Sequence, residues 1–468
     1  MFAIFGHAEA ATHTTLGLHA LQHRGQEAGG IVTFDGQHFN SHKASGLIGD
    51  HFSRKHVIDG LPGHAAIGHN RYSTTGESML RNVQPLFADF AFGGLALAHN
   101  GNLTNARQLR ERLVQAGCLF QSTTDTEVII HLIARSSGET INKRLMEALA
   151  EIEGAYSLVA LFDDGIIGVR DPLGVRPLVL GELDGSYILA SETCALDILG
   201  ATFIRDIEPG EIVVIDRFGV TSLRQQPAQQ RRFCIFEYVY FARPDSMVDG
   251  LGVYDVRKAI GRELAREAPA DVDLVIPVPD SGVPASIGFA QEAGLPFELG
   301  IIRNHYVGRT FIEPSDQIRH LGVKLKHNAN RAMIAGKRVV LVDDSIVRGT
   351  TSTKIVDMVR DAGAKEIHMR IASPPTRFSC FYGVDTPERD QLLAAQNAMD
   401  EMQRIIGVSS LAFISLDGLY RATGQTHRDA AKPAYCDACF SGDYPTRLSD
   451  HEDGGPQRQL SLLEEVSR

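Results

Sequence analysis

Residues 339–352 read VVLVDDSIVRGTTS, with two adjacent carboxylates, Asp343 and Asp344, directly after an apolar run from Val339 to Val342. Such a run suits a buried parallel strand. Ser345 to Thr351 follow as a small, hydroxyl-rich turn, and a helical pattern covers Thr353 to Arg360. Ligands of open α/β sheets bind at this edge, outside the carboxyl ends of the strands. Free backbone N–H groups at a helix start favour an anion, and Gly349 lets the backbone come close to one. The acid pair suits a ribose diol or a hard cation such as Mg²⁺. One end of the motif thus takes phosphate, and the other takes sugar hydroxyls and metal. An acid pair in a strand-to-helix loop can be fortuitous, but the attached Arg348-Gly349-Thr350-Thr351 favours the functional reading.

Two further loops point the same way. PVPDSGVPAS (277–286) also follows a strand pattern and opens a helix, and its Ser281–Gly282 pair can face a pyrophosphate through backbone N–H groups. Residues 303–338 are strongly basic, with Arg303, Arg309, Arg319, Lys324, Lys326, Arg331, Lys337 and Arg338 beside His305, His320 and His327. The whole chain has 46 basic against 57 acidic residues, a net charge of −11, which weighs against general nucleic-acid binding. A basic stretch between two strand-loop motifs of one sheet reads as a loop that closes over a small polyanion; the alternative is a solvated charged face. Displacing pyrophosphate from a sugar C1 fits all three loops. Mg²⁺ and basic groups stabilise the leaving charge, and loop closure excludes water.

The segment with the acid pair closely resembles the 5-phosphoribosyl-1-diphosphate (PRPP) motif of type I phosphoribosyltransferases. Together, FEYVYFARPDS (236–246), NHYVGRTFI (304–312) and VDDSIVRGTTS (342–352) resemble the amidophosphoribosyltransferase family, and the likeness runs from about residue 2 to residue 445. The resemblance implies that Ser281, Asp343 and Asp344 hold Mg²⁺. It implies that Ser345, Arg348, Gly349, Thr350 and Thr351 bind PRPP, with the 5′-phosphate on Ser345 to Thr351, and that Arg309 and Lys326 belong to the closing loop. His305 and His327 stand where many relatives carry Arg and Leu, which makes the loop's charge more dependent on pH.

In the first half, LQHRGQEAGG (21–30), GHNRYSTTG (68–76), AHNGNLTN (98–105) and TTDTEV (123–128) resemble a class II glutamine amidotransferase. Arg71 suits the glutamine α-carboxylate and Asp125 its α-ammonium. Asn100 and Gly101 can donate to a tetrahedral oxyanion. Taken singly, AHNG also reads as a turn, and TTDTE as a capping box for a helix. The family needs an N-terminal cysteine, whose thiolate attacks the amide while its own α-amine helps move the proton. This chain begins MFAIFGH, where relatives read roughly Cys-Gly-Val-Phe-Gly-Ile before the same Gly-His. Met1 aligns with the valine, whose GTG codon also serves as a start. The expectation is therefore a nucleophile just upstream of Met1, or else true loss of the glutaminase step. Cys118 cannot replace it, having neither a free amine nor a motif around it.

Six cysteines are present, of which Cys118 and Cys194 read as small buried residues. The Cys436–Cys439 pair has Cys-x-x-Cys spacing, which alone allows zinc, a redox pair or no function. The contexts RRFCIFEY, FSCFYGVDT and CDACFSGDYPT resemble clostridial and Bacillus-type amidotransferases. That resemblance implies one [4Fe–4S] cluster on Cys234, Cys380, Cys436 and Cys439. Thiolate sets suit Fe–S and zinc alike, so spacing does not choose between them. A cluster would staple segments far apart in sequence.

These groups need two scaffolds. Residues 1–230 alternate short β-like runs with Gly-rich turns, such as 65–73, 95–101, 156–162 and 186–191, with helical patterns near 105–116 and 126–136. This is an α+β pattern; the resemblance implies an N-terminal-nucleophile fold of two antiparallel sheets between helices. Polar residues 225–230 read as a linker. Residues 231–445 read as an α/β phosphoribosyltransferase domain with a parallel sheet: helix 255–267, strand 274–279, helix 283–293, strand 339–342, then a helix and strand 366–373. Residues 446–468 form a polar tail. No apolar run reaches the ~20 residues of a membrane span, and the start lacks signal-peptide features. The expected setting is cytoplasmic, without disulfides. By resemblance the expected activity is synthesis of 5-phosphoribosylamine from PRPP and glutamine or ammonia, the first committed step of purine synthesis. Ammonia would pass through an internal channel, purine nucleotides would inhibit, and the chain would form dimers or tetramers. A nucleobase-salvage enzyme or a non-catalytic PRPP-sensing regulator is the alternative; the first ignores the glutaminase half and the second lacks a DNA-binding element.

Overall fold

The computed structural model describes residues 1–72, 79–224, 229–304 and 327–450. His305, Arg309, Arg319, His320, Lys324 and Lys326 lie outside the described residues, as do linker positions 225–228 and the tail beyond 450.

Residues with β periodicity in the first half form two antiparallel sheets. Seven strands lie in the order Thr202–Asp206, Val179–Leu183, Ser186–Ala190, Phe2–Phe5, Ala65–Arg71, Ala28–Phe34 and Phe39–Ser45. Six more run Gly219–Arg224, Glu211–Asp216, Gly165–Arg170, Gly154–Phe162, Gly93–Leu103 and Leu86–Phe90. Strand Gly93–Leu103 shows why the sheets stack. Ala96 and Ala98 join Ala3, Ile67 and Val159 in a core between the sheets. Leu95 and Leu97 point to the other face, against Val128, Ile129, Ile133 and Leu145 of helices Thr126–Arg135 and Ile141–Leu149. Successive side chains on a strand alternate faces, so the apolar stretch Leu95–Ala98 must be covered on both. Helix Ala10–Ala20 covers the outer face of the seven-stranded sheet, with Leu18 against Phe2 and Ile4.

The second half is built on a parallel sheet, in the order Leu274–Pro277, Arg338–Asp343, Glu366–Ile371 and Ser410–Phe413. Val340 and Val342 pack with Val256, Ile260 and Phe289 of helices Val253–Glu267 and Val283–Ala293. Val339 and Leu341 pack with Ile355, Val356 and Val359 on the opposite face. The last three belong to helix Thr350–Asp361, which begins three residues before the expected start at Thr353. Gly349, at φ +79°, is its N-cap, so Thr350 and Thr351 belong to the first helical turn; the apolar periodicity becomes visible only further along.

The halves are joined by charge as well as by chain. Glu237 is fully buried and accepts from Arg24 Nη2 at 2.7 Å and Arg176 Nη1 at 2.9 Å. Glu192 pairs with Arg24 and His23 and accepts from Ser246 Oγ at 2.7 Å. Phe241 lies near both guanidiniums, 5.0 Å from Arg24 and 5.2 Å from Arg176. Among the described residues, no helix is long and apolar enough to cross a membrane.

Candidate active sites

The first site gathers around strands Gly93–Leu103 and Ala65–Arg71. Arg71, Asn100, Gly101 and Asp125 all line one cavity, as the motifs require. AHNG is not a turn: Asn100 and Gly101 pair with Ser157 and Tyr156 inside the sheet. Gly101 has φ +143°, and a Cβ there would lie 2.0 Å from the Ala155 carbonyl oxygen, so only glycine fits. The amide Nδ2 of Asn100 is a buried donor without a partner among the described residues. Such a donor is costly unless something fills the cavity.

The capping-box alternative also fails. Glu127 accepts the amides of Gln121 and Ser122, both at 2.7 Å, and does not reach back to cap its own helix. The Asp125 side chain makes no cap bond either; its Oδ2 accepts the Leu103 amide at 3.0 Å, and Oδ1 lies 3.5 Å from His99 Nδ1. Burial opposes its charge, but His99 and the Leu103 amide together hold the carboxyl below the usual range. Arg71 is buried on the wall beside it, its pKa lowered by that burial.

Several lining residues are given no role by the sequence, although all but Gln84 lie inside its motif segments. Arg24, His69, Gln84, His99, Phe241 and Gly383 complete the wall. His69 Nδ1 and His99 Nε2 are buried without partners among the described residues, and burial drives the His69 pKa far down, keeping the ring neutral. A signal existed: His69 and Arg71 share one face of their strand, as do His99 and Gly101. Met1 lies nearby in the core; its α-amine donates to Ser191 Oγ at 3.0 Å, and burial, then Arg24, pushes its pKa down to about 5. No cysteine lines the cavity among the described residues.

The second site lies at the carboxyl end of the parallel sheet. Asp343 closes strand Arg338–Asp343, and its Oδ1 accepts the Asp344 amide at 2.9 Å. Asp344 Oδ1 accepts from Ser345 Oγ at 2.5 Å, and the Ser281 hydroxyl also bonds Asp344. Ser281, Asp343, Asp344 and Ser345 therefore meet. Gly282 makes this meeting physically possible: a Cβ there would lie 2.4 Å from the Val342 carbonyl oxygen. Helices starting at Val283 and Thr350 both open at this edge, with Arg348, Thr350 and Thr351 exposed on it. Both carboxyls are pushed above the usual range, by burial first and, for Asp343, by the Asp344 charge as well. Arg257 is a residue the sequence did not single out. It is buried, donates to the Tyr238 and Ala242 carbonyls at 2.8 and 2.7 Å, and its charge partly offsets the rise at Asp344.

The third site is a largely apolar cavity lined by Cys234, Cys380, Cys436 and Cys439, with Phe236, Val347 and Val384 among its other walls. Strand Phe233–Cys234 pairs in parallel with Tyr435–Cys436, setting Cys234 opposite Cys436, and the short helix Ala438–Ser441 supplies Cys439. All six cysteines are free, and Cys118 is only half buried, against expectation, because it lies after the exposed end of helix Ala106–Gln115 and packs on the rim of its core. Among the described residues, no three His, Cys, Asp or Glu side chains converge closely enough to hold a single metal ion.

Comparison with known proteins agrees with this layout. Residues 69–197 match the glutamine amidotransferase domain, and residues 249–372 match the phosphoribosyl transferase domain. An amidophosphoribosyltransferase of Rhizobium etli is 56% identical over 469 residues, covering 99% of this chain and 95% of the relative. That of Bacillus subtilis is 46% identical, covering 96% and 94%. The solved B. subtilis glutamine PRPP amidotransferase, complexed with ADP and GMP, superposes with a TM-score of 0.90 over 96% of this chain and 97% of that one. The fold of two antiparallel sheets followed by a parallel sheet, and the transferase class, are thus those expected, and the chain belongs to the amidophosphoribosyltransferase family.

Proposed function

We propose that the protein makes 5-phosphoribosylamine from PRPP in purine biosynthesis, using ammonia directly and glutamine where a nucleophile is present in the first cavity. The observation that carries this reading is the buried Asp343–Asp344 pair, with Ser281 upon it, beneath two helix N-termini. Two carboxylates and a hydroxyl form a hard oxygen set that fits Mg²⁺, which commonly keeps one or two carboxylates plus waters and phosphates. When bound, Mg²⁺ supplies charge neutralisation for the departing pyrophosphate. The acids themselves hold the ribose hydroxyls, and their raised pKa means that a cation or diol must offset the cost of ionising both. Backbone N–H groups from Ser345 to Thr351 hold the 5′-phosphate.

In the first cavity, Arg71 pairs with the glutamine α-carboxylate and Asp125 with its α-ammonium. Asn100 Nδ2 and the Gly101 N–H donate to the oxyanion. The described lining holds no thiol, so in our reading glutamine hydrolysis needs a nucleophile beyond these residues, while ammonia can be used directly.

We assign the four cysteines to a polynuclear group. Four thiols around one apolar cavity suit a [4Fe–4S] cluster, whose separate irons each take one cysteine. We assign purine nucleotides as regulatory ligands, by likeness to the B. subtilis enzyme solved with ADP and GMP, and a cytoplasmic dimer or tetramer as the working form.

The test is turnover of the purified polypeptide with PRPP and Mg²⁺. Ammonium should support pyrophosphate release and glutamine should not. Equal rates with either donor, or none with ammonium, would overturn the assignment.

A further inference from the structure

The six residues from Cys380 to Asp385 touch two sites at once. Cys380 lines the four-cysteine cavity, and its amide donates to Thr386 Oγ1 at 2.6 Å. The Tyr382 amide donates to Cys380 Sγ at 3.3 Å, and Ser379 Oγ to the Pro387 carbonyl at 2.9 Å, so the segment is a closed, self-bonded loop. Its other side presses on the first domain. Asn102 Nδ2 donates to the Phe381 carbonyl at 3.1 Å, and Arg176 Nε to the Tyr382 carbonyl at 2.9 Å. Tyr72 Oη donates to Asp385 Oδ2 at 3.2 Å. Between them Gly383, at φ +94°, approaches Gly101 so closely that a Cβ would lie 2.9 Å from the Gly101 Cα, C and O.

We propose that Cys380–Asp385 is a positioning element through which the group held by the four cysteines fixes the backbone of Asn100–Leu103, the strand end that carries the oxyanion donors. The proposal rests on the reading that the cysteine cavity holds a metal group. Gly101 has its own strand partner on one side, Tyr156, and Gly383 on the other. An oxyanion donor is effective only when its N–H is fixed before charge develops. The backstop for that N–H is a backbone from the other domain, and one end of the backstop is a cysteine ligand. Anchoring Cys380 orders the loop, and the ordered loop limits the motion of Gly101.

Amide hydrogen exchange on the full, anaerobically purified chain tests this, with metal content measured in parallel. Cys380→Ser should lose the metal and speed exchange over residues 99–103 about tenfold. Exchange in strands Gly165–Arg170 and Arg338–Asp343 should change less than twofold. Gly383→Ala should keep the metal and still speed exchange over residues 99–103, because the added Cβ displaces Gly101 directly. Unchanged exchange there in Gly383→Ala, or equal acceleration in the control strands of both variants, would overturn the positioning role. Metal loss in Cys380→Ser with residues 99–103 unchanged would overturn the coupling. If the parent holds no metal, the reading of the cavity fails, and Gly383→Ala still decides whether the loop fixes the oxyanion strand.

Discussion

The proposed glutamine cavity and the proposed PRPP edge treat their carboxylates in opposite ways. Asp125 is buried but held ionised by His99 and the Leu103 amide, ready for an ammonium group. Asp343 and Asp344 are equally buried, yet burial, and for Asp343 the Asp344 charge as well, pushes them toward the protonated form. The first cavity therefore carries its charge before the ligand arrives, and the second acquires its charge with the ligand. A zwitterion such as glutamine brings matched, opposite charges to a preset clamp. PRPP with a cation brings a surplus of charge, which two preset carboxylates would repel in part.

The strongest way to break this contrast is to neutralise the acids at the PRPP edge. The double variant Asp343→Asn/Asp344→Asn should lower ammonia-dependent turnover on the order of 10³-fold, since ribose and metal contacts are lost together. Near-normal steady-state rates would remove the pair from the mechanism. Stability then separates the two regions. Without Mg²⁺, Asp343→Asn should raise resistance to urea by about 1–3 kcal/mol at pH 7, because an acid with a raised folded pKa destabilises the fold as pH climbs past its unfolded value. Asp125→Asn should do the reverse and cost about 1–3 kcal/mol. Its folded pKa is depressed, so its contribution is full above the unfolded pKa near 4 and is lost as pH falls further. Opposite signs in paired urea melts sharpen the contrast, and equal signs break it. The smallest expected effect concerns Met1. Its amine titrates near 8 unfolded and at about 5 folded, so stability should decline as pH falls between those values. Blocking the amine by acetylation should remove that slope, as melts at pH 8 and pH 5.5 would report.

Much of this was legible in the sequence because it is local. Strand Val339–Val342 is an apolar run, and the acids, turn and helix follow it within a dozen residues. Arg71, Asp125, Asn100 and Gly101, which the sequence points to as a glutamine site, do line one cavity. What stayed hidden crosses the chain. Phe241 and Gly383 wall the glutamine cavity from the second domain, and Arg24 reaches Glu237 across the junction. No periodicity records such contacts. The start of helix Thr350–Asp361 was missed because Gly349's backbone, not side-chain pattern, sets it. The half-exposed Cys118 shows the converse error, since residue type alone does not fix burial.

The pairing of Phe233–Cys234 with Tyr435–Cys436 has a consequence for the order in which the protein can be made. Arg232 bonds to the Tyr435 carbonyl across 203 positions of sequence. At roughly 5–20 residues per second on a ribosome, Cys234 waits about 10–40 s for its partners to emerge. The first domain can close on itself in that interval. The cysteine cavity cannot, so whatever it holds can be enclosed only after Cys436 and Cys439 have emerged, by which time the first domain has had the chance to fold.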